Sequence, residues 1–274
     1  MNATCSSKFG SLAATAALSL AAATVLMPQV ADARPPQIAS TSCGGLVTPN
    51  AYCSFDDDGE DVVIGQRSCN AEGACLDLGD GTRIGSDSCN DFEACRDLGS
   101  VGGSGRILNG SCNGRIACLR AGSDGGTARI GHGSCNAPAA CNAAGLTDGV
   151  STIGNGSCNS SNTCVSVAQG SGFSAIGNLS CNSTGFPCAC CFSGGKFGNS
   201  DIGVDSCNGS LACISAGFDS GDSSIGNSSC NATSACQDAA AFSPGETSTV
   251  GNRSCNADEV CKENVGKVGN NERN

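Results

Sequence analysis

The sequence predicts an all-β fold, a parallel β-solenoid of about nine disulfide-stapled coils of 20–26 residues. Three observations predict it: a repeated unit, paired cysteines at a fixed spacing within that unit, and an unusual composition. The 274 residues include 40 Gly and 23 Cys but no Trp, and aromatic residues make up only 4%. Because such a chain has few large apolar side chains to bury, we expect turns and short extended segments held together by covalent links.

An internal repeat fills most of the chain. The unit reads I-G-x-x-S-C-N-x-x-x-A-C, and its copies follow one another at offsets of 20, 23, 23, 23, 23, 26, 23 and 25 residues. The leucine-rich pattern and the amphipathic helical patterns are both missing, and the Gly, Ser, Asn and Thr of every unit disfavour helix. Short parallel strands are therefore predicted, with the leading Ile or Val, the Cys pair and small residues such as Ala74 and Ala117 directed inward. The copies begin at Ile64, Ile84, Ile107, Ile130, Ile153, Ile176, Ile202, Ile225 and Val250.

Eight of the nine copies carry two cysteines with the spacing C-x5-C. The intervening residues are small, polar or turn-forming, so a turn can bring the two Cα atoms within the roughly 4.4–6.8 Å that a disulfide needs. Bonding within each coil is the simplest connectivity, and bonding between neighbouring coils stays open because sequence alone does not fix connectivity. The predicted bridges are Cys69–Cys75, Cys89–Cys95, Cys112–Cys118, Cys135–Cys141, Cys158–Cys164, Cys207–Cys213, Cys230–Cys236 and Cys255–Cys261.

The remaining cysteines of the mature chain lie outside this regular spacing. They are Cys43 and Cys53 before the array, and Cys181, Cys188, Cys190 and Cys191 in the sixth copy. The first two are expected to close an N-terminal cap, and the sixth copy is expected to form a bulged loop with a bridge of its own. Structural zinc sites use shorter Cys spacings and often His, and His132 is the only histidine. We therefore predict no metal site, no catalytic residue and no cofactor.

Asparagine follows the first cysteine in every copy. One functional Asn would not need so many equivalents, whereas a stacked column of Asn side chains, each bonding the next amide, accounts for the repetition. The column is predicted to contain Asn70, Asn90, Asn113, Asn136, Asn159, Asn182, Asn208, Asn231 and Asn256.

Three regions are predicted along the chain. Residues 1–33 have the composition of a signal peptide, with Lys8 before an uncharged Ala-rich stretch and an A-x-A cleavage site that ends at Ala33. An uncleaved anchor or an organelle transit peptide are the alternatives. Residues 34–63 form an N-terminal cap with an acidic run at 55–61, and residues 64–274 hold the repeats and a short polar tail. The cysteine content favours an oxidising destination, so we expect a secreted, extracellular or cell-surface protein.

The net charge of −11 makes nucleic acid an unfavourable partner, and no membrane span is expected after the leader is removed. Arg83, Arg106 and Arg129 each precede the leading Ile in three consecutive copies, so stacking would place them in one column. We interpret this column as a candidate ligand surface for an acidic polysaccharide. The alternative interpretation is that the three arginines only compensate the charge of nearby acids such as Asp77 or Asp97.

The repeat resembles those of cysteine-rich secreted β-helix proteins, and its C-x5-C spacing is similar to the intracoil disulfide spacing of beetle antifreeze proteins. The resemblance implies the solenoid and its bridges. Those antifreeze proteins also carry a T-x-T array in every coil, and this sequence lacks that array. The leading hypothesis is a secreted non-enzymatic structural or surface-interaction protein, adhesin-like, whose partner is unknown and could be a polysaccharide or a cell wall. A carbohydrate-active β-helix enzyme or polysaccharide binder, and an ice- or mineral-binding protein, are the alternatives.

Overall fold

The structure is a computed structural model that describes residues 35–43, 53–55, 60–183, 188–241 and 245–272. All of these residues belong to one compact unit, Ala33–Asn274. The expected leader at 1–33 and residues 56–59 of the acidic run lie outside the described residues. Strands and turns make up the described ranges, and within them no helix could cross a membrane.

The described residues form thirteen short strands. They are β1 (Gln37–Ile38), β2 (Cys53–Phe55), β3 (Val63–Ile64), β4 (Cys75–Leu78), β5 (Arg83–Ile84), β6 (Ser104–Ile107), β7 (Thr127–Ile130), β8 (Val150–Ile153), β9 (Phe173–Ile176), β10 (Asn199–Ile202), β11 (Asp222–Ile225), β12 (Thr247–Val250) and β13 (Gly266–Val268).

Eleven of these strands form one parallel sheet in chain order, and β2 and β4 form a separate pair. Each strand of the long sheet pairs with the equivalent residues of the next repeat, so that Ile107 lies beside Ile130 and Ile130 beside Ile153. One repeat is therefore one coil. The predicted all-β fold, a parallel β-solenoid with disulfide staples, is confirmed.

The core is a narrow stack of Ile, Ala and Cys. Along a strand such as β6 the side chains alternate between exposed and buried, and the last residue, Ile107, points inward. The leading Ile or Val of every copy is at most 3% exposed, and Ala74 and Ala117 are fully buried. Since burying one such Ile contributes about 1.5–3 kcal/mol, a coil gains little from apolar packing alone.

The disulfides close within coils, as predicted for the C-x5-C pairs. The eight regular bridges have Cα–Cα distances of 5.6–5.8 Å, and Cys43 is bonded to Cys53. In the sixth copy Cys181 bonds Cys190 across a separation of 9 residues instead of 6, and Cys188 bonds Cys191. The insertion therefore lies between Cys181 and Cys190, and the pairing of β9 with β10 keeps its register.

The first cysteine of each regular pair has a left-handed backbone. The φ angles of these residues, including Cys69 and Cys135, lie between 55° and 58°. Such a conformation costs a residue with a Cβ about 1–2 kcal/mol. In return the N–H of Cys135 donates to the carbonyl oxygen of Ser157 in the next coil at 3.1 Å. The turn at each S-C-N motif is thus tied to its neighbour as well as to its own bridge.

A column of glycines allows the coils to approach closely. A Cβ atom added to Gly149 would overlap the backbone carbonyl oxygen of Ala168 in the next coil. The same overlap with the next coil's backbone occurs at Gly79, Gly103, Gly126, Gly149, Gly172, Gly198 and Gly221. Because the obstacle is backbone, a side chain at these positions would force the coils apart.

Candidate binding face

Every second residue of the long sheet points to solvent, and from β5 onward these side chains form what we call the sheet face. Two columns of side chains follow the stacked strands along it. The first, the arginine column, contains Arg83, Arg106, Arg129, Thr152, Ala175, Asp201, Ser224, Thr249 and Lys267. The second column contains Ser104, Thr127, Val150, Phe173, Asn199, Asp222 and Thr247.

The three arginines of the expected ligand surface lie side by side. Arg83 pairs with Arg106 and Arg106 with Arg129 in the sheet register, so their Cα atoms are about 4.8 Å apart along the stack. All three are exposed. None forms an ion pair with a described residue, so direct pairing with the acids considered from the sequence does not occur within these ranges.

The acids named as compensating partners are engaged elsewhere. Asp97 lies 3.8 Å from the guanidinium of Arg96, and Asp77 accepts a hydrogen bond from the hydroxyl of Ser54 at 3.0 Å. Sequence order placed them near the arginines, but the coil carries them away from the sheet face. The three guanidinium groups therefore repel one another, and no described carboxylate pairs directly with them.

The other half of the sheet face carries negative charge. Asp201 lies on β10 in the arginine column, and Asp222 lies on β11 in the second column. Both are exposed. The side-chain amide of Asn199 donates to Asp222 at 2.7 Å, whereas Asp201 has no ion-pair partner among the described residues.

Two apolar side chains separate the charged halves. Val150 on β8 is 37% exposed and Phe173 on β9 is 43% exposed, and the two lie in register with each other. Beside the arginines, a groove of about 360 Å³ is lined by Arg106, Arg129 and Asn155, among others. From β5 to β12 the sheet face thus runs from basic, through apolar, to acidic along the stack, and Lys267 follows on β13.

The asparagines predicted to stack do bridge successive coils, mainly through the backbone. Oδ1 of Asn136 accepts the backbone N–H of Asn113 at 3.1 Å, and its Nδ2 donates to the carbonyl oxygen of Gly110 at 2.9 Å. Most of these asparagines are half-buried. Each side chain therefore joins its own coil to the preceding one and leaves little hydrogen-bonding capacity for a ligand.

A second ladder, made by the Ser before each first cysteine, was not assigned from the sequence. The hydroxyl of Ser157 donates to the carbonyl oxygen of Gly177 at 2.7 Å and accepts the N–H of Ser180 at 3.2 Å. This serine occurs in every copy of the S-C-N motif, and that invariance was the available signal. The fully buried members are Ser42, Ser68, Ser88, Ser111, Ser134, Ser157, Ser180, Ser206, Ser229 and Ser254.

Exposed asparagines at the G-N position form a third ladder. Oδ1 of Asn155 accepts the N–H of His132 at 2.8 Å, and Oδ1 of Asn178 accepts the N–H of Asn155 at 2.7 Å. The single histidine therefore sits on an exposed turn as one step of this ladder. Nothing in its surroundings among the described residues resembles a catalytic pair.

Four inward-pointing serines of the long sheet lack hydrogen bonds. The Oγ atoms of Ser151, Ser174, Ser200 and Ser223 are buried and have no partner among the described residues. The next residue of this column, Ser248, differs because its Oγ accepts the side-chain amide of Asn264 at 3.0 Å. The interior of the solenoid therefore tolerates hydroxyl groups that it does not satisfy.

Sulfur atoms of neighbouring coils come close enough to resemble a metal site. The Sγ atoms of Cys158, Cys164 and Cys181 lie within 4.8 Å of one another. Cys158 and Cys164 are bonded to each other, and Cys181 is bonded to Cys190. None of these sulfur atoms is a free thiolate that could bind a metal. They lie close together because the bridges of successive coils stack on one another.

Comparisons with protein families, with curated proteins and with solved structures gave no match to this chain. The resemblance that holds is architectural: the chain is a cysteine-rich β-solenoid with C-x5-C bridges. A single T-x-T occurs, at Thr247 and Thr249 of β12.

Proposed function

We propose that this protein is a secreted, non-enzymatic rod that acts outside the cell or on its surface by binding a partner on the sheet face. The eleven disulfides among the described residues suit an oxidising compartment, where such bonds form and persist. The stacked coils hold the sheet face in a fixed geometry.

One observation carries this proposal: the side chains of the arginine column take no part in holding the fold together. No side chain of the arginine column makes a hydrogen bond or ion pair with a described residue. The Asn and Ser ladders and the bridges, by contrast, join each coil to the next or close it. Exposed charged and apolar side chains that do not contribute to the stability of the fold are typical of binding surfaces.

The second candidate, binding of an acidic polysaccharide, is favoured by the uncompensated arginines. Guanidinium groups bind carboxylate and sulfate well, and about 4.8 Å between successive arginines is close to the length of one sugar unit of a linear chain. Such a ligand would lie along the groove beside Arg106 and Arg129. Ser104 and Thr127 in the second column add hydroxyl groups for hydrogen bonding.

The test uses the secreted protein, labelled with a fluorophore, on the cells that produce it and on three immobilised polymers: polygalacturonate, dextran sulfate and neutral dextran. The face variant replaces Arg83, Arg106 and Arg129 with Ser. The control variant replaces Arg115, Arg120 and Arg253 with Ser, which removes the same charge elsewhere. We expect the face variant to lose most binding to the cells and the control to keep it.

Binding to the three polymers tests both candidates. Retention on both acidic polymers but not on neutral dextran, lost in the face variant, supports the polysaccharide candidate. Equal loss in both variants, or unchanged binding in the face variant, contradicts the sheet face as the binding site. Release of reducing ends from any polymer would contradict a non-enzymatic role.

A further inference from the structure

We propose that the partner of the sheet face is a second copy of this chain, which packs face to face in antiparallel orientation and brings the basic half of one copy onto the acidic half of the other. This proposal rests on the proposed function, because it assigns a partner to the same surface. It follows from the order of side chains along the face.

The order is self-complementary about the middle of the sheet. A twofold axis that runs along the strand direction between β8 and β9 reverses the stack and keeps each column in place. Under that operation β7 of one copy faces β10 of the other, and β6 faces β11. Arg129 then lies opposite Asp201 of the second copy, because both occupy the arginine column.

The next pair outward is also complementary. Arg106 lies opposite Ser224 of the second copy, one outward position along the strand from Asp222. An arginine side chain spans that offset, since alternate residues of a strand are about 6.6 Å apart. The twofold symmetry repeats both contacts, so each copy uses two arginines and two aspartates.

The residues nearest the axis are the apolar ones. Val150 of one copy faces Phe173 of the other, and the symmetry makes this contact twice. Thr152 and Ala175, which are small and half-buried, fill the position beside them. An apolar centre ringed by charged pairs is the usual anatomy of a protein interface. The central contacts lie within a few strands of the axis, so sheet twist disturbs them least.

A second copy accounts for both the basic and the acidic half of the face, whereas a long polyanion accounts for one half; Arg83 and Lys267 lie outside these pairs. A polyanion that followed the stack past Arg129 would meet Asp201 three strands later, where like charges repel. The charges of Arg106, Arg129 and Asp201 have no ion-pair partner among the described residues of one chain. The antiparallel dimer brings each of them near an opposite charge.

The contact is of modest size. Strands β6–β12 each have four residues, so their common face measures about 34 Å by about 13 Å. That footprint, about 440 Å² on each copy, lies below the range of stable specific interfaces and within that of weak, transient contacts. We therefore expect a reversible dimer with a dissociation constant in the micromolar range, weakened by salt because its outer contacts are ionic.

The experiment is sedimentation velocity on the disulfide-intact protein from low to several hundred micromolar. The acidic-face variant carries Arg106→Asp and Arg129→Asp, and the basic-face variant carries Asp201→Arg and Asp222→Arg. We expect the unmodified protein to dimerise and each variant alone to stay monomeric, because its two faces carry like charges. An equimolar mixture of the two variants should form a heterodimer, since every charge then meets its opposite.

A control variant with Arg115→Asp and Arg253→Asp makes the same change in net charge away from the sheet face. It should dimerise like the unmodified protein, and circular dichroism of all variants should show the same sheet signal. If the mixture stays monomeric while the unmodified protein dimerises, this interface is wrong. If no species dimerises but the arginine variants lose polygalacturonate binding, the second copy is ruled out and the sheet face stands as a binding site. If neither property responds, both proposals fail.

Discussion

Ser157 and Ser174 both direct a hydroxyl group into the solenoid, but only Ser157 is hydrogen-bonded there. Ser157 bonds the backbone at Gly177 and Ser180, whereas Oγ of Ser174 has no partner among the described residues. Both residues are fully buried. The pair therefore separates the effect of a satisfied hydroxyl from that of an unsatisfied one.

Replacing each serine with alanine should change stability in opposite directions. Ser157→Ala leaves two buried backbone groups unpaired and should lower the free energy of unfolding by about 1–3 kcal/mol. Ser174→Ala removes only an unsatisfied hydroxyl and should be neutral or stabilising. Thermal unfolding followed by circular dichroism, with the disulfides intact, measures both. Destabilisation by Ser174→Ala as large as that by Ser157→Ala would show that its hydroxyl has a partner.

The Asn column gives a prediction with a pH dependence. In Asn136→Asp the oxygen that replaces Nδ2 faces the carbonyl of Gly110, so the charged carboxylate is disfavoured and its pKa in the folded state should rise. The variant should therefore be least stable near neutral pH and should recover as the pH falls through that raised pKa. Asn136→Ala loses both hydrogen bonds but introduces no charge, so its deficit should not vary with pH. Parallel stability curves for the two variants would contradict the assignment.

The glycine column should be intolerant of even a methyl group. Gly149→Ala places Cβ on the carbonyl oxygen of Ala168, so we expect poor secretion or a large fall in melting temperature. Gly133→Ala is the matched control, because a Cβ there meets nothing within 4 Å. Its φ of 62° costs about 1 kcal/mol, and Leu179 already adopts that conformation at the equivalent position. Equal tolerance of both changes would mean that the coils pack more loosely.

The disulfide connectivity is directly measurable. Mass spectrometry of non-reduced peptides should find Cys188 linked to Cys191 and Cys181 linked to Cys190. A regular bridge closes a short loop and contributes roughly 2 kcal/mol, so the array together exceeds a typical net stability of about 5–15 kcal/mol. Full reduction should therefore abolish the sheet signal in circular dichroism. A reduced chain that keeps the signal would show that packing and ladders suffice.

The exposed ion pair of Arg67 and Asp87 leads to a prediction about the pKa of Asp87. The Arg67 guanidinium donates to both carboxylate oxygens at 2.6 Å and lowers the pKa of Asp87 below its ordinary value. Any stabilisation from this pair is present above the ordinary Asp pKa and is lost as the pH falls through the lowered one. Carbon-detected NMR should show the pKa of Asp87 rising in Arg67→Ala. Asp205 sits at the equivalent turn of another coil and has no arginine partner among the described residues. The carboxyl resonance of Asp205 should therefore be the same in Arg67→Ala as in the unmodified protein.

The sequence predicted the architecture well because the repeat fixes it. Once copies are aligned, the leading Ile, the Ala before the second Cys and the Cys pair must stack on their equivalents, and they do. The insertion at Cys181 was also readable, since its extra cysteines mark it. The role of Ser157 could also have been predicted, because a serine occupies the equivalent position in every copy.

The features that could not be predicted from the sequence depend on the path of the chain between the strands. The separation of Asp97 from the arginines needs the path of the coil, which no spacing rule supplies. The need for glycine at Gly149 comes from a backbone atom of the next coil. The segregation of Arg129 and Asp201 along one column became visible only when the strand register was known.

The uniform register of the strands has a consequence for how this molecule can change size. Removing residues 131–153 would join Ile130 directly to Gly154, taking away one whole coil with its own bridge while every inward column closes up behind it. Insertion or deletion of a complete repeat should thus be tolerated, whereas insertion or deletion of part of a repeat should not. Unequal exchange between copies could lengthen or shorten the protein without redesigning its interior.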